Sequence, residues 1–139
     1  MGIDVFMEWK GMTESEREAQ RTLDARGAQG WLRESLHNGD LFTRYLFREA
    51  FQAKRWDGTG EQPDGDLFYL RSNVGIAYIA ADVLRQRLPT ALKMVSEEWF
   101  IAGSMEVNES YLQGIRDFVA LAERKEMETD LPVIIIVAP

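Results

Sequence analysis

The chain has 139 residues, 45% hydrophobic and 28% charged, with no Cys, a single His and a formal net charge of −7. That length suits one domain spanning 1–139, with a core able to stand without disulfides or a structural metal, and the apolar content excludes wholesale disorder. Without Cys there is no thiol nucleophile, disulfide, zinc knuckle or iron–sulfur cluster, and with His37 alone there is no paired-imidazole site.

Ile3 to Trp9 alternates, with Ile3, Val5 and Met7 on one side and Asp4, Phe6 and Glu8 on the other, which predicts an N-terminal strand. Thr13-Glu14-Ser15-Glu16 fits a capping box and starts a helix expected to run to about Arg26, with Gly27 as its stop. Its apolar positions are only Ala19, Leu23 and Ala25, so it is expected to lie exposed, or to order on meeting a partner.

Gly30 to His37 reads as a short helix carrying Trp31, Leu32 and Leu36, ended by the turn Asn38-Gly39-Asp40. Leu41, Tyr45, Leu46 and Phe51 give a helical spacing up to Lys54, although Tyr45, Phe47 and Glu49 also alternate as in a strand. Residues 56–66 are dense in Gly, Pro and Asp and form the clearest loop in the chain. Leu67 to Leu70 and Val74 to Ile79 follow as a hairpin through Arg71-Ser72-Asn73.

Two longer helices come next. Asp82 is placed to cap the first, whose apolar positions include Leu84, Leu88, Ala91, Leu92, Val95 and Trp99, and Pro89 predicts a kink or a new first turn. Asn108 is placed to cap the second, with a broad stripe of Tyr111, Leu112, Ile115, Phe118, Val119 and Ala122. The two are expected to form an antiparallel pair. Leu131 to Val137 is β-branched and apolar on both sides, so it should be an interior strand. The expected fold is a single α+β domain: a small mixed or antiparallel sheet of N-terminal strand, central hairpin and C-terminal strand, packed by two long helices.

Charge is unevenly placed. Residues 56–139 carry seven basic and fourteen acidic side chains, whereas residues 10–55 carry nine basic and seven acidic ones. A pI near 4.8 turns away polyanions, so neither nucleic acid nor an anionic membrane surface is an expected partner. Asp4 stands where a secretory signal carries a base, and the longest clean apolar run, 133–138, is far short of the roughly 20 residues a membrane helix needs. A cytoplasmic protein is the expectation.

The chemical motifs are sparse. His37 lies near Glu34, Ser35 and Asp40, the residue types of a general-base arrangement, which makes His37 and Asp40 the candidate catalytic pair. Asp57, Thr59 and Glu61 alternate as calcium ligands do, but the sixth and twelfth places hold Gln62 and Phe68, so the EF-hand pattern fails. A looser oxygen-ligand site from Asp57, Glu61, Asp64 and Asp66 is the remaining metal candidate. Gly58-Thr59-Gly60 meets Pro63 where a dinucleotide fingerprint needs Gly, and no cofactor is expected.

For binding, Trp31 and Trp56 border turns and can serve as anchors. Arg44 and Arg48 form a basic face with Lys54 and Arg55, interleaved with aromatic residues that are expected to turn inward. The leading expectation is a protein-binding module, an acidic inhibitor or immunity-like factor whose partner is a basic protein or a second copy of the chain. The alternative is a small-molecule or metal-dependent enzyme built around His37 and the 57–66 loop, and the sequence leaves open whether the chain is an enzyme at all.

Overall fold

The computed structural model describes residues 2–35, 41–52, 74–101 and 109–138. Among these residues four strands, β1 (Gly2–Glu8), β2 (Trp31–Ser35), β3 (Gly75–Ile79) and β4 (Val133–Ala138), make one sheet in the order β2-β1-β4-β3. Every neighbouring pair is antiparallel, which resolves the mixed-or-antiparallel alternative. β4, the strand without a polar residue, is interior and bonded on both sides, because a run of 133–138 with no polar face can only be satisfied by cover on both faces.

The register sorts the side chains. Val5 faces Leu32 on one side and Val137 on the other, so Ile3, Val5, Met7, Leu32, Ile135 and Val137 share the face that meets the helices. Phe6, opposite Trp31 and Ile136, gathers a smaller apolar cluster with Val74 and Ala138 on the other face.

Among the described residues five α-helices accompany the sheet: α1 (Glu14–Gln20), α2 (Leu41–Leu46), α3 (Arg48–Gln52), α4 (Ala81–Ile101) and α5 (Glu109–Thr129). The stripe expected on α5 is its buried face, with Ile115, Phe118 and Ala122 fully enclosed, and Phe118 meets Phe47 edge-on at 5.3 Å. Burying side chains of this size contributes about 2 kcal/mol each. α4 and α5 run antiparallel: Arg85 in the second turn of α4 pairs with Glu123 near the end of α5, and the Ala81 N–H at the start of α4 donates to Glu126. Two long helices packed on a four-stranded antiparallel sheet make the single α+β domain expected from the pattern.

Several local expectations are corrected. Gly30 to His37 is not a helix: 31–35 is strand β2, and the apolar positions that suggested a turn of helix belong to opposite faces of a strand, with Leu32 on the core side and Trp31 on the other. The first helix stops at Gln20, not Arg26, and Gly27 opens a short 3-10 turn, Gly27–Gln29, packed against α5. The helix expected from Leu41 to Lys54 is two, broken at Phe47. Of the two effects expected at Pro89, the new first turn is absent: α4 continues from Ala81 to Ile101 with the proline on its exposed side.

Asp82 does not cap α4; it sits inside the first turn, and the cap comes from Glu126 of α5 at 2.6 Å. Leu67 to Leu70, the first half of the expected hairpin, lies outside the described residues, as do Asn108 and the side chain of Trp99.

Two polar devices close the β1–β2 end of the sheet. Met7 N–H donates to the Gly30 carbonyl at 2.9 Å, but the Gly30 N–H turns back to Gly27, also at 2.9 Å, leaving the reciprocal ladder bond unmade. Gln20, 3% exposed, supplies the missing donor: its Nε2 donates to the Met7 carbonyl at 2.8 Å and to the Gly30 carbonyl at 3.0 Å. On the outer edge of β2, Trp31 N–H donates to Arg26 O at 3.3 Å and Arg33 O accepts from the Tyr111 hydroxyl at 2.5 Å, so part of that edge is already occupied.

Candidate functional site

Where α4 begins and α5 ends, the antiparallel pairing opens a cleft of about 480 Å³ lined by Ala81, Asp82, Arg85, Glu123, Glu126, Met127 and Asp130. On α5 the lining follows from helical spacing: Glu123, Glu126, Met127 and Asp130 are three, four and seven residues apart and share one face. Asp82 and Arg85 join them from α4 by the same three-residue rule.

Four carboxylates and one guanidinium therefore line the cleft. Arg85 takes up Glu123 through both Nε and a terminal nitrogen, the Nε contact being 2.7 Å, and this hydrogen bond raises the pKa of the arginine. Glu126 is spent on the Ala81 N–H. Asp82, at the N-terminal end of α4, sits where the helix dipole favours an anion. Asp130 is different: it follows the C-terminal end of α5, where the dipole disfavours negative charge, and no basic residue occupies that last turn.

Asp130 also adopts φ +58, a left-handed conformation in which its N–H donates to the Glu126 carbonyl at 2.8 Å. Glycine is the usual occupant of that closing position, and a side chain there costs about 1 kcal/mol. Met127 is 83% exposed and Leu131, just past the helix, is 43% exposed. An acidic concavity thus carries large apolar side chains in water beside it.

The residues singled out in the sequence fare differently. His37, Asp40, Trp56, Asp57, Glu61, Asp64 and Asp66 lie outside the described residues, so the candidate catalytic pair and the candidate metal loop are not placed. Among the described residues, no group of three or more His, Asp or Glu is arranged to hold a metal ion. Trp31 is half-buried on the sheet, its Nε1 donating to Asp4 Oδ1 at 3.2 Å while Arg33 reaches the same carboxylate at 3.0 Å.

Arg44 and Arg48 are exposed on α2 and α3; the Arg44 guanidinium lies 4.7 Å over the ring of Phe51, and Phe47 between the two helices is fully buried. The aromatic residues interleaved with that basic cluster are thus turned partly or wholly inward. Glu34, beside His37 in sequence, is fully buried and accepts from the N–H groups of Phe42 and Thr43 at the start of α2.

The cleft residues were missed in the sequence although half of the signal was there. Glu123, Met127 and Asp130 recur at helical spacing, but nothing local says that Asp82 and Arg85 come to face them. No helix among the described residues is long and apolar enough to cross a membrane. The chain matches no protein-family model, no curated protein and no solved structure.

Proposed function

We propose that the chain is a protein-binding module that presents the acidic cleft between α4 and α5 to a basic surface of a partner protein. The supporting observation is the cleft itself, which is lined by four carboxylates and one arginine beside the 83%-exposed Met127. Acidic residues steer a basic partner and exclude acidic ones. An exposed methionine supplies a soft apolar contact that adapts to the surface it meets. Asp130 adds a second line of support, since an acid in a left-handed backbone at the negative end of a helix weakens the fold locally and is better suited to recognition than to packing.

The reading keeps the expectation of a cytoplasmic protein, inhibitor-like or immunity-like, that leaves nucleic acid and membranes alone. The enzyme reading around His37 and the 57–66 loop rests on residues outside those described.

The test is affinity capture from the cells of origin at low and high salt, comparing the wild-type chain with a Met127→Ser/Asp130→Lys double variant and with Glu109→Lys, a control at the exposed far end of α5. A basic protein retained at low salt by wild type and control, and weakened about tenfold or more by the double variant, is the expected result. Capture that ignores the cleft variant, or no specific capture at all, overturns the reading.

A further inference from the structure

α1 is a helix of seven residues, and isolated helices shorter than about 12 residues do not hold in water, so its existence depends on what it touches. Its apolar residues do not supply that support. Gln20 is its one buried side chain, Ala19 is exposed, and Leu23 in the following turn is 98% exposed. What holds it is polar: Gln20 to the Met7 and Gly30 carbonyls, Arg17 to Glu8 at 3.6 Å, and Glu16 to Lys125 of α5 at 3.2 Å.

Glu16 links the making of the helix to its docking. One carboxylate oxygen accepts from the Thr13 N–H at 2.9 Å, completing a capping box in which the Glu16 N–H donates to Thr13 Oγ1 at 3.1 Å. The other oxygen reaches Lys125, whose ammonium also contacts Glu128 at 3.1 Å and lies 5.0 Å over the ring of Trp9. Loss of the Lys125 contact therefore loosens the cap, and loss of the cap frees the carboxylate. Ties with shared members give a unit that comes off together.

We propose that α1 is a polar latch that opens as a unit, releasing the β1–β2 end of the sheet while β4 and α5 stay folded. Opening needs no apolar surface of α1 to be exposed. It returns the Met7 carbonyl to water in place of the Gln20 amide, and it separates charges that water solvates well. The Glu16–Lys125 tie is ionic and reaches the solvent through the part-exposed carboxylate, so added salt and neutralisation of Glu16 favour the open form, while the apolar contacts that hold β4 are not weakened by either.

Amide hydrogen exchange resolved by residue tests this on the full chain, comparing Arg17 to Arg21 with Ile135 to Val137. The α1 amides are expected to exchange at least tenfold faster than those of β4 in wild type, and about tenfold faster again in Glu16→Gln. A salt series on the wild-type chain, from low salt to about 1 M, where the Debye length falls to about 3 Å, gives the same contrast without a substitution. Equal exchange in α1 and β4 of the wild-type chain, or an α1 rate that answers to neither Glu16 nor salt, overturns the latch.

Discussion

A Cβ placed on Gly27 would stand 1.6 Å from the carbonyl oxygen of Gly114, whereas a Cβ on Gly114 would come no nearer than 3.9 Å to the nitrogen of Gly27. The 3-10 turn thus rests its backbone directly on the backbone of α5, and only one of the two glycines is required by space. Gly27→Ala is expected to destabilise the chain by about 3 kcal/mol, as insertion into backbone-to-backbone contact does. Gly114→Ala should instead be neutral or stabilising by up to about 1 kcal/mol, since alanine is the better helix former. Urea midpoints of the two variants moving the same way would show that the contact is not the cause.

Glu34 is a fully buried carboxylate whose burial is offset by donors. It accepts from Thr43 Oγ1 at 2.5 Å and Thr43 N at 3.2 Å, and it lies at the positive end of α2. Thr43→Val removes the hydroxyl donor and should cost about 1–2 kcal/mol. Glu34→Ala leaves buried N–H groups without their acceptor and should cost about 3 kcal/mol. Chemical denaturation that ranks the threonine change above the glutamate change would contradict this account.

Arg87 ties α4 to the α2–α3 corner. It donates to Leu46 O at 3.1 Å and grips Glu49 with both terminal nitrogens, the shorter-range hydrogen bonding holding the Glu49 carboxyl below the usual carboxylate range against the opposing effect of burial. The glutamate is 40% exposed and screened by water, so the pair is worth less than a buried one. Arg87→Ala is expected to cost about 2 kcal/mol and Arg87→Lys, which loses the two-pronged geometry, about 1 kcal/mol. Thermal denaturation at neutral pH compares them directly.

The stability of the α1 contact should depend on pH through Glu16. Burial pushes its carboxyl upward, but the Thr13 N–H, Lys125 and the Thr13 hydroxyl together hold it below its ordinary value. A folded pKa lowered from an unfolded value of about 4.3 contributes stability that is complete above about pH 5 and is lost as pH falls through the folded value. Burial pulls the Lys125 ammonium down, but Glu128 and Glu16 together hold it above its ordinary value, so it contributes below an unfolded value of about 10.4 and loses that contribution only at higher pH. Glu16→Gln should therefore lower stability at neutral pH and flatten the decline on acidification. Melting temperatures across the acid range check it, and an unchanged slope would assign the decline to Glu49 and other carboxylates.

Much of the architecture was legible because its signals are local. The Thr13–Glu16 box, the stripe on α5 and the unbroken apolar run of β4 are interactions or patterns spanning a few residues, and each appears in the fold where the spacing put it. β2 was misread for the same reason: Trp31, Leu32 and Leu36 fit a helical turn as well as they fit a strand, and only pairing with β1 decides between them. Within the cleft, the α5 face was written in the spacing of Glu123, Met127 and Asp130, but its partners on α4 were not.

By itself, then, the sequence determined which segments could be strand or helix and which side of each was apolar, since those depend on the two-residue and 3.6-residue periods of the backbone. The tertiary structure decided who satisfies whom: Glu126 rather than Asp82 caps α4, Gln20 completes the β1–β2 ladder, and Gly27 needs its missing side chain because α5 passes beneath it. Hydrogen-bond donors and backbone carbonyls must find partners wherever the chain brings them, and residues 13 to 45 positions apart meet only once the sheet order and the helix pairing are set.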